Sequence, residues 1–323
     1  MKKLGLLLAV FFVLVLAACS NTGDADKASD KKEAEKELKT TDQVLNIGTL
    51  PAESAIPIIL AKEKGFFEDE GVNVEITSFN SPNDRNVAAQ AGKIDGMIGD
   101  VMTTLSMREN DMNFTITSDI NEDFKLLSSP NSGITDVKQL DGKDVSLVPK
   151  FLLEYIMDEI AAENDISYNV VSIPSISARY EALLNDQVDS VIFTEPQATM
   201  LQESGAHLLA SSKEYGIKGG TISFADNVID ERPGDIAAFY RAYNKGVDYM
   251  NNNDVSTYSD ILKQYKFPDS MSDYLSNKKE DYTKAAAITK DQYQSIEEWT
   301  KKKEMITKDY AYKDVTDFSM LPN

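Results

Sequence analysis

The strongest constraint on the fold is an alternation of short apolar runs with amphipathic stretches, which occurs in two successive series. In the first series, residues 44–48 and 72–76 are predicted to be strands, and a helix over residues 56–64 is predicted to end at Gly65. The second series, over residues 144–203, has the same order. Such alternation is typical of parallel sheets covered by helices on both faces. The sequence therefore predicts an α/β fold.

Two segments rich in turn-forming residues separate the series, at residues 127–133 and 215–220. We therefore expect two lobes: lobe I from residues 44–127 and 221–323, and lobe II from residues 128–220. A ligand cleft is expected between the lobes, because open parallel sheets bind ligands at the carboxyl ends of their strands. The end of the chain is predicted to be a helical tail.

The amino terminus predicts export from the cytoplasm. Two lysines precede an apolar run over residues 4–16, which is too short for a comfortable membrane span, and the stretch Leu16-Ala17-Ala18-Cys19 follows. This stretch resembles a bacterial lipobox, which implies a signal peptide over residues 1–18 and a lipid such as palmitate on Cys19. The protein would then be anchored to the outer face of the cytoplasmic membrane. The alternative is an ordinary signal peptide, or an uncleaved anchor, with an incidental cysteine.

Residues 19–43 contain almost no large apolar side chain, so we predict a disordered tether.

The whole chain carries 53 acidic against 33 basic residues, a formal charge of -20, which would repel a phosphate backbone. Nucleic acid is therefore excluded as a partner. With one Cys and one His, neither a disulfide within the chain nor a structural zinc site can be built. We predict that His207 is a structural or surface residue and that the protein needs no metal or cofactor.

Several segments resemble the solute-binding proteins of ABC importers of the sulfonate, nitrate, taurine and thiamine-precursor type. The most specific is residues 58–72, where Lys64-Gly65-Phe66-Phe67 follows a helix and precedes Glu70-Gly71-Val72. Residues 92–96 and 140–145 are similar to two further family segments, as are residues 188–191 and Glu195-Pro196. The resemblance extends from about Leu45 to the end of the chain.

The resemblance implies a two-lobed, periplasmic-binding-protein-like fold of type II. It also implies a monomer that closes around one small solute and delivers it to an ABC permease in the membrane. Members of this family normally catalyse nothing and need no cofactor. A fungal branch makes the thiamine pyrimidine with a cysteine-rich segment and a histidine, and this chain lacks such a segment. We therefore predict that the protein is not an enzyme.

Candidate ligand-binding residues lie at the predicted strand-to-helix turns: Glu53, Ser81, Asn83, Asp100, Lys150 and Glu195. Each has a plainer alternative, because acids, Ser and Asn at helix starts also act as caps and Lys150 could be a solvated lysine. Arg179 and Tyr180 are predicted to be surface or lobe-packing residues unless the cleft reaches them, and Trp299 is predicted to pack in the core or against a helix of the tail.

Charge decides the predicted ligand. Three acids, Glu53, Asp100 and Glu195, stand against Lys150, and buried acids need hydrogen-bond donors. Relatives often have a Gly-Ser-Thr loop that could bind an oxyanion where this chain has residues 150–152. The predicted solute is therefore a nitrogen-containing heteroaromatic, such as a thiamine pyrimidine precursor. The alternative solute is an alkanesulfonate or similar anion held by helix amino termini and Lys150. The alternative class is a secreted lipoprotein enzyme or scaffold.

Overall fold

A computed structural model describes residues 38–322. The predicted signal peptide, Cys19 and most of the predicted tether lie outside these residues. The strands are β1 Val44–Thr49, β2 Asn73–Ser78, β3 Gly96–Asp100, β4 Phe114–Asp119, β5 Lys125–Ser128, β6 Lys143–Leu147, β7 Tyr168–Ser172, β8 Ser190–Phe193, β9 His207–Ser211 and β10 Gly220–Ala225.

The helices are α1 Ile56–Glu63, α2 Phe66–Asp69, α3 Pro82–Gln90, α4 Val101–Glu109, α5 Leu152–Asn164, α6 Ile176–Leu184, α7 Gln197–Glu203, α8 Asp226–Glu231, α9 Pro233–Asn252, α10 Ser259–Gln264, α11 Asp269–Asn277, α12 Lys290–Lys302 and α13 Tyr312–Val315. Over residues 38–322, none of these helices is long and apolar enough to span a membrane.

The strands form two five-stranded sheets that share one strand order. The first sheet has the order β2-β1-β3-β10-β4, and the second has the order β7-β6-β8-β5-β9. In each sheet the first three strands are parallel, and the fourth runs antiparallel to both of its neighbours. The α/β class is confirmed, but the sheets are mixed rather than parallel. The antiparallel strand in each sheet is the one that has just crossed from the other lobe, and it enters in the opposite direction.

The crossings lie at residues 120–124, between β4 and β5, and at residues 212–219, between β9 and β10. The first boundary was predicted after residue 127, but β5 pairs with β8 and β9 and therefore belongs to the second lobe. The predicted turn-rich segment, residues 127–133, overlaps the last two residues of β5. This strand is only four residues long and is followed directly by the run Ser-Pro-Asn-Ser-Gly.

The core of the first lobe is built around α9. This helix packs on α1 so closely that a Cβ added to Gly246 would lie 2.3 Å from the carbonyl oxygen of Pro57. Phe239 of α9 stacks on Phe67 and meets Phe224 of β10 edge-on. A larger side chain at position 246 would therefore force α9 and α1 apart.

Residues 221–323 were predicted to belong to the first lobe alone. In the structure, part of this region packs on both lobes. Helix α12 packs on α4 of the first lobe, and its Trp299 meets Tyr155 of α5 edge-on at 5.6 Å between ring centroids. The apolar residues of α12, including Ile296, share one buried cluster with Leu105 of α4 and Leu147 of β6. Helix α12 therefore bridges the two lobes.

Candidate functional site

A cavity of about 100 Å³ lies between the lobes. It is surrounded by the segments that follow β1, β3, β6 and β8, by the first crossing and by the first turns of α3, α5 and α6. Its lining residues are Leu50, Pro51, Ala52, Pro82, Arg85, Ile98, Gly99, Asp100, Glu122, Phe124, Val148, Phe151, Leu152, Leu153, Ile176, Arg179, Ile192, Phe193, Thr194 and Gln197. Both lobes therefore contribute to one largely apolar site.

Arg85 brings a buried cation to this cavity from the first lobe. It lies four residues after Ser81, which caps α3 by accepting a hydrogen bond from the Asp84 N–H at 3.1 Å. Its Nη1 donates to the carbonyl of Ile98 at 2.7 Å, and its Nη2 donates to Asn86 Oδ1 at 2.8 Å. Burial lowers the pKa of Arg85, and the nearby Asp100 opposes that change. Arginine nevertheless stays protonated inside proteins, so Arg85 carries a positive charge.

Arg179 brings a second buried cation from the second lobe. It lies four residues after Ser175, the cap of α6, and only 3% of its surface is exposed. Its Nη1 donates to the carbonyl of Ile173 at 2.9 Å, and the guanidinium stands 4.5 Å over the Phe193 ring. Its Nε has no hydrogen-bond partner within residues 38–322. Burial lowers the pKa of Arg179 to about 10, so the side chain is charged at neutral pH.

The two arginines occupy equivalent places in the lobes. Helix α3 follows β2 and α6 follows β7, and these strands have the same position in their sheets. In both helices the capping serine is followed by arginine at the fourth position, as Ser81-Pro-Asn-Asp-Arg85 and Ser175-Ile-Ser-Ala-Arg179. This paired spacing was the one signal in the sequence that could have identified them. The cavity reaches Arg179, which therefore does more than pack at the surface or within a lobe, and Arg85 is a site residue that the sequence prediction missed.

Two carboxyl groups also line the cavity. Asp100 caps α4 by accepting from the Thr103 N–H at 2.7 Å, and burial raises its pKa against the opposing effect of Arg85. Glu122 accepts from Ser54 Oγ at 2.6 Å. Burial raises the pKa of Glu122 to about 8, and the carboxylate of Glu53 adds to the increase. The cavity therefore has two guanidinium groups and two carboxyl groups in its lining, and the raised pKa of Glu122 favours the uncharged form of that carboxyl.

Two other predicted ligand residues are satisfied by protein donors. Glu195 is fully buried, its Oε1 pairs with the Lys125 ammonium, and its Oε2 accepts from the Thr199 N–H at 2.9 Å. Glu53 accepts a hydrogen bond from the Tyr282 hydroxyl at 2.8 Å, and burial raises its pKa. Glu53 faces a separate cavity of about 530 Å³, and neither acid lines the cavity that holds the arginines.

The remaining predicted residues lie at the edge of the site or away from it. Ser81 is buried and caps α3, and Asn83 is exposed on the same helix. Lys150 is exposed, with a left-handed backbone at φ 65°, and borders a different groove beside Phe151. Of the six predicted ligand residues, Asp100 is the one that lines the cavity between the lobes. Within residues 38–322, no cluster of three or more His, Cys, Asp and Glu side chains is placed to hold a metal ion.

A family model described as NMT1/THI5 like matches residues 53–256, which is more than half of the chain. The chain belongs to the NMT1/THI5-like family. It is 26% identical over 275 residues to a protein of Bacillus subtilis (strain 168) that carries the provisional name aliphatic sulfonates-binding protein. That match covers 81% of the chain and 79% of the relative.

Another relative is an enzyme by name. The chain is 26% identical over 235 residues to the 4-amino-5-hydroxymethyl-2-methylpyrimidine phosphate synthase THI11 of Saccharomyces cerevisiae, and the match covers 66% of the chain and 68% of that protein. The relatives of this chain therefore include proteins named for binding and proteins named for synthesis.

The fold matches that of a solved solute-binding protein. The alkanesulfonate-binding protein SsuA from Xanthomonas axonopodis pv. citri, bound to MOPS, superposes with a TM-score of 0.74 at 15% identity, over 84% of the chain and 97% of that structure. Together with the family match, this confirms both the resemblance predicted from the sequence and the two-lobed, periplasmic-binding-protein-like fold.

Proposed function

We propose that the protein is an extracytoplasmic solute-binding protein of an ABC import system, and that its solute is a small organic anion of the alkanesulfonate class. The observation that carries this proposal is Arg179, a buried guanidinium at the cavity with an unpaired Nε and no carboxylate partner within residues 38–322. Burying a charge without a partner is costly, and an anion bound between the lobes would remove that cost. Arg85 supplies a second cation from the opposite lobe.

The apolar walls of the cavity suit the rest of such a solute. Ile98, Phe124, Phe151, Leu152 and Ile192 all line the cavity. An alkyl chain that leaves water for this surface gains about 25 cal/mol per Å² of area buried. Guanidinium groups bind sulfonate oxygens through several N–H donors in a plane, which provides orientation as well as attraction.

This proposal reverses the ligand predicted from the sequence. The prediction of a nitrogen-containing heteroaromatic counted Glu53 and Glu195 as ligand acceptors, whereas both accept from protein donors. The anion that was the alternative is better supported, by the arginines and by the sulfonate-binding names of relatives. An aminopyrimidine stays a second candidate, because Asp100 and Glu122 could accept from its N–H groups and because other relatives are named for such a pyrimidine.

Calorimetric titration of the natively purified protein with C2 to C8 alkanesulfonates and with aminopyrimidines tests the proposal. We expect sulfonate binding in the wild type and a loss of about 10- to 100-fold in Arg179→Met, because a hydrogen bond to a charged group contributes about 1.5–3 kcal/mol. Arg241→Met is the matched control. Arg241 lies on the surface of α9, where it pairs with Glu70, and it does not line the cavity. Circular dichroism confirms that each variant is folded. Binding of pyrimidines but not of sulfonates would contradict the proposal.

The proposal includes a binding role without catalysis, delivery to a membrane permease, a monomeric state and an anchor at Cys19. Mass spectrometry of solute recovered from the protein tests the first of these, because a binding protein returns the solute unchanged. Mass spectrometry of the mature amino terminus tests the anchor, which predicts a lipid-modified Cys19 as the first residue.

A further inference from the structure

Glu122 has an unusual position for a carboxyl group. It lies in the first crossing between the lobes, and it lines both the cavity that holds the arginines and the larger cavity beside it. Its Oε1 accepts from Ser54, whereas its Oε2 makes no hydrogen bond to any other described residue. One oxygen of Glu122 is therefore fixed by the protein and the other is available to a solute.

Charged and titratable groups surround Glu122 from every element that packs near it. They are Glu53 before α1, Arg85 of α3, Asp100 at the end of β3, Asp123 and Lys125 next to it in the chain, Arg179 of α6, Lys213 and Lys218 in the second crossing, Tyr243 of α9, Tyr274 of α11, and Lys278, Lys279, Glu280, Asp281 and Tyr282 after α11. Two carboxylates, Glu53 and Asp100, repel its negative form, and Arg85 attracts it. The largest effect on the pKa of Glu122 is burial, which disfavours the charged form. Burial and the two carboxylates together raise this pKa to about 8.

A carboxyl group that keeps its proton is a hydrogen-bond donor as well as an acceptor. An ionised Glu122 would instead place a negative charge against an anion in a poorly solvated cavity, where repulsion is strong. Building on the proposed function, we infer that Glu122 binds the anion in its protonated form, with its Oε2–H donating to an oxygen of the solute that Arg85 and Arg179 hold. Binding of the anion is then coupled to retention or uptake of one proton on Glu122.

Alkanesulfonates are suitable probes because the sulfonate group stays fully ionised throughout the experiment, so only the protein titrates. We expect the Kd of the wild type to be constant below pH 7 and to rise about 10-fold between pH 7 and pH 9, as Glu122 loses its proton around pH 8. Calorimetry at pH 9 in two buffers of different ionisation enthalpy should show uptake of about one proton for each sulfonate bound.

Glu122→Gln keeps an N–H donor in place and cannot ionise. We expect its Kd, whatever its value at pH 7, to be the same at pH 7 and at pH 9, because the amide has no proton to lose in this range. Asp123→Asn is the matched control, because Asp123 is the next residue in the same crossing and lines only the second cavity. This control should keep the pH dependence of the wild type.

The outcomes separate this inference from the proposed function. Sulfonate binding by the wild type with a constant Kd from pH 6 to pH 9 and no proton uptake would overturn the role of Glu122 and leave the proposed function standing. A pH dependence that persists in Glu122→Gln would also overturn it. Failure of the wild type to bind any sulfonate at any pH would overturn the proposed function, and this inference with it. The proton-uptake measurement needs no variant, so a misfolded variant cannot obscure the result.

Discussion

Glu195, two residues after the end of β8, forms an ion pair with Lys125 of β5, with no exposure of the carboxylate and 12% exposure of the lysine side chain. Replacing Glu195 with Ala leaves the buried ammonium of Lys125 without its partner. We expect this variant to lose about 3–5 kcal/mol of unfolding free energy, as is typical of broken buried pairs. Its affinity for the solute should change little, because the pair does not line the cavity. Urea denaturation and calorimetry measure the two effects.

The double variant Lys125→Met with Glu195→Leu is the control, since removing both charges together costs far less than removing one. A tenfold loss of affinity in Glu195→Ala with unchanged stability would contradict this assignment and return Glu195 to the ligand site.

The sequence could place Glu195 at the end of a strand, but it could not show that Lys125 is its ion-pair partner. Lys125 is 70 positions earlier, in a strand of four residues that was not predicted.

Among the secondary-structure elements, α12 has a role that its position in the chain does not suggest. It packs on α4 of one lobe and α5 of the other, and its Trp299 donates a hydrogen bond to Asp158 of α5 at 2.8 Å. We expect Trp299→Ala to lower the free energy of unfolding by about 3–5 kcal/mol, because a large buried aromatic leaves a cavity. Trp299→Phe should cost less, since it keeps a ring against Tyr155. Urea denaturation followed by circular dichroism measures both.

A loss below 1 kcal/mol in Trp299→Ala would show that α12 does not hold the lobes together. The buried position of Trp299 agrees with the packing role predicted from the sequence. The helical spacing of residues 291–303 predicts a helix that matches α12 to within one residue at each end, but periodicity cannot show which surface an apolar face will cover. Short elements are harder to predict. The pattern does not indicate α11, and residues 221–228 have a strand-like pattern, whereas β10 ends at Ala225 and α8 begins at Asp226.

For the whole molecule, the contact between the lobes predicts motion. The N–H of Glu53 in the first lobe donates to the carbonyl of Glu195 in the second at 3.2 Å, beside the cavity. Separation of such contacts would widen the way into the cavity, and the crossings at residues 120–124 and 212–219 are the segments that would rotate. We expect small-angle X-ray scattering to show a larger radius of gyration without solute than with a saturating alkanesulfonate. Identical profiles, with binding demonstrated by calorimetry, would contradict hinge closure.

The two buried arginines lie inside a chain whose formal charge is -20. At physiological ionic strength, charges more than about 8 Å apart are largely screened, so an approaching anion meets the acidic exterior first and the guanidinium groups only within the cleft. Long-range attraction therefore cannot speed the capture of an anion by this protein. Selection among anions consequently depends on how long each one resides after the lobes have closed, which is a property of the dissociation rate rather than of the association rate.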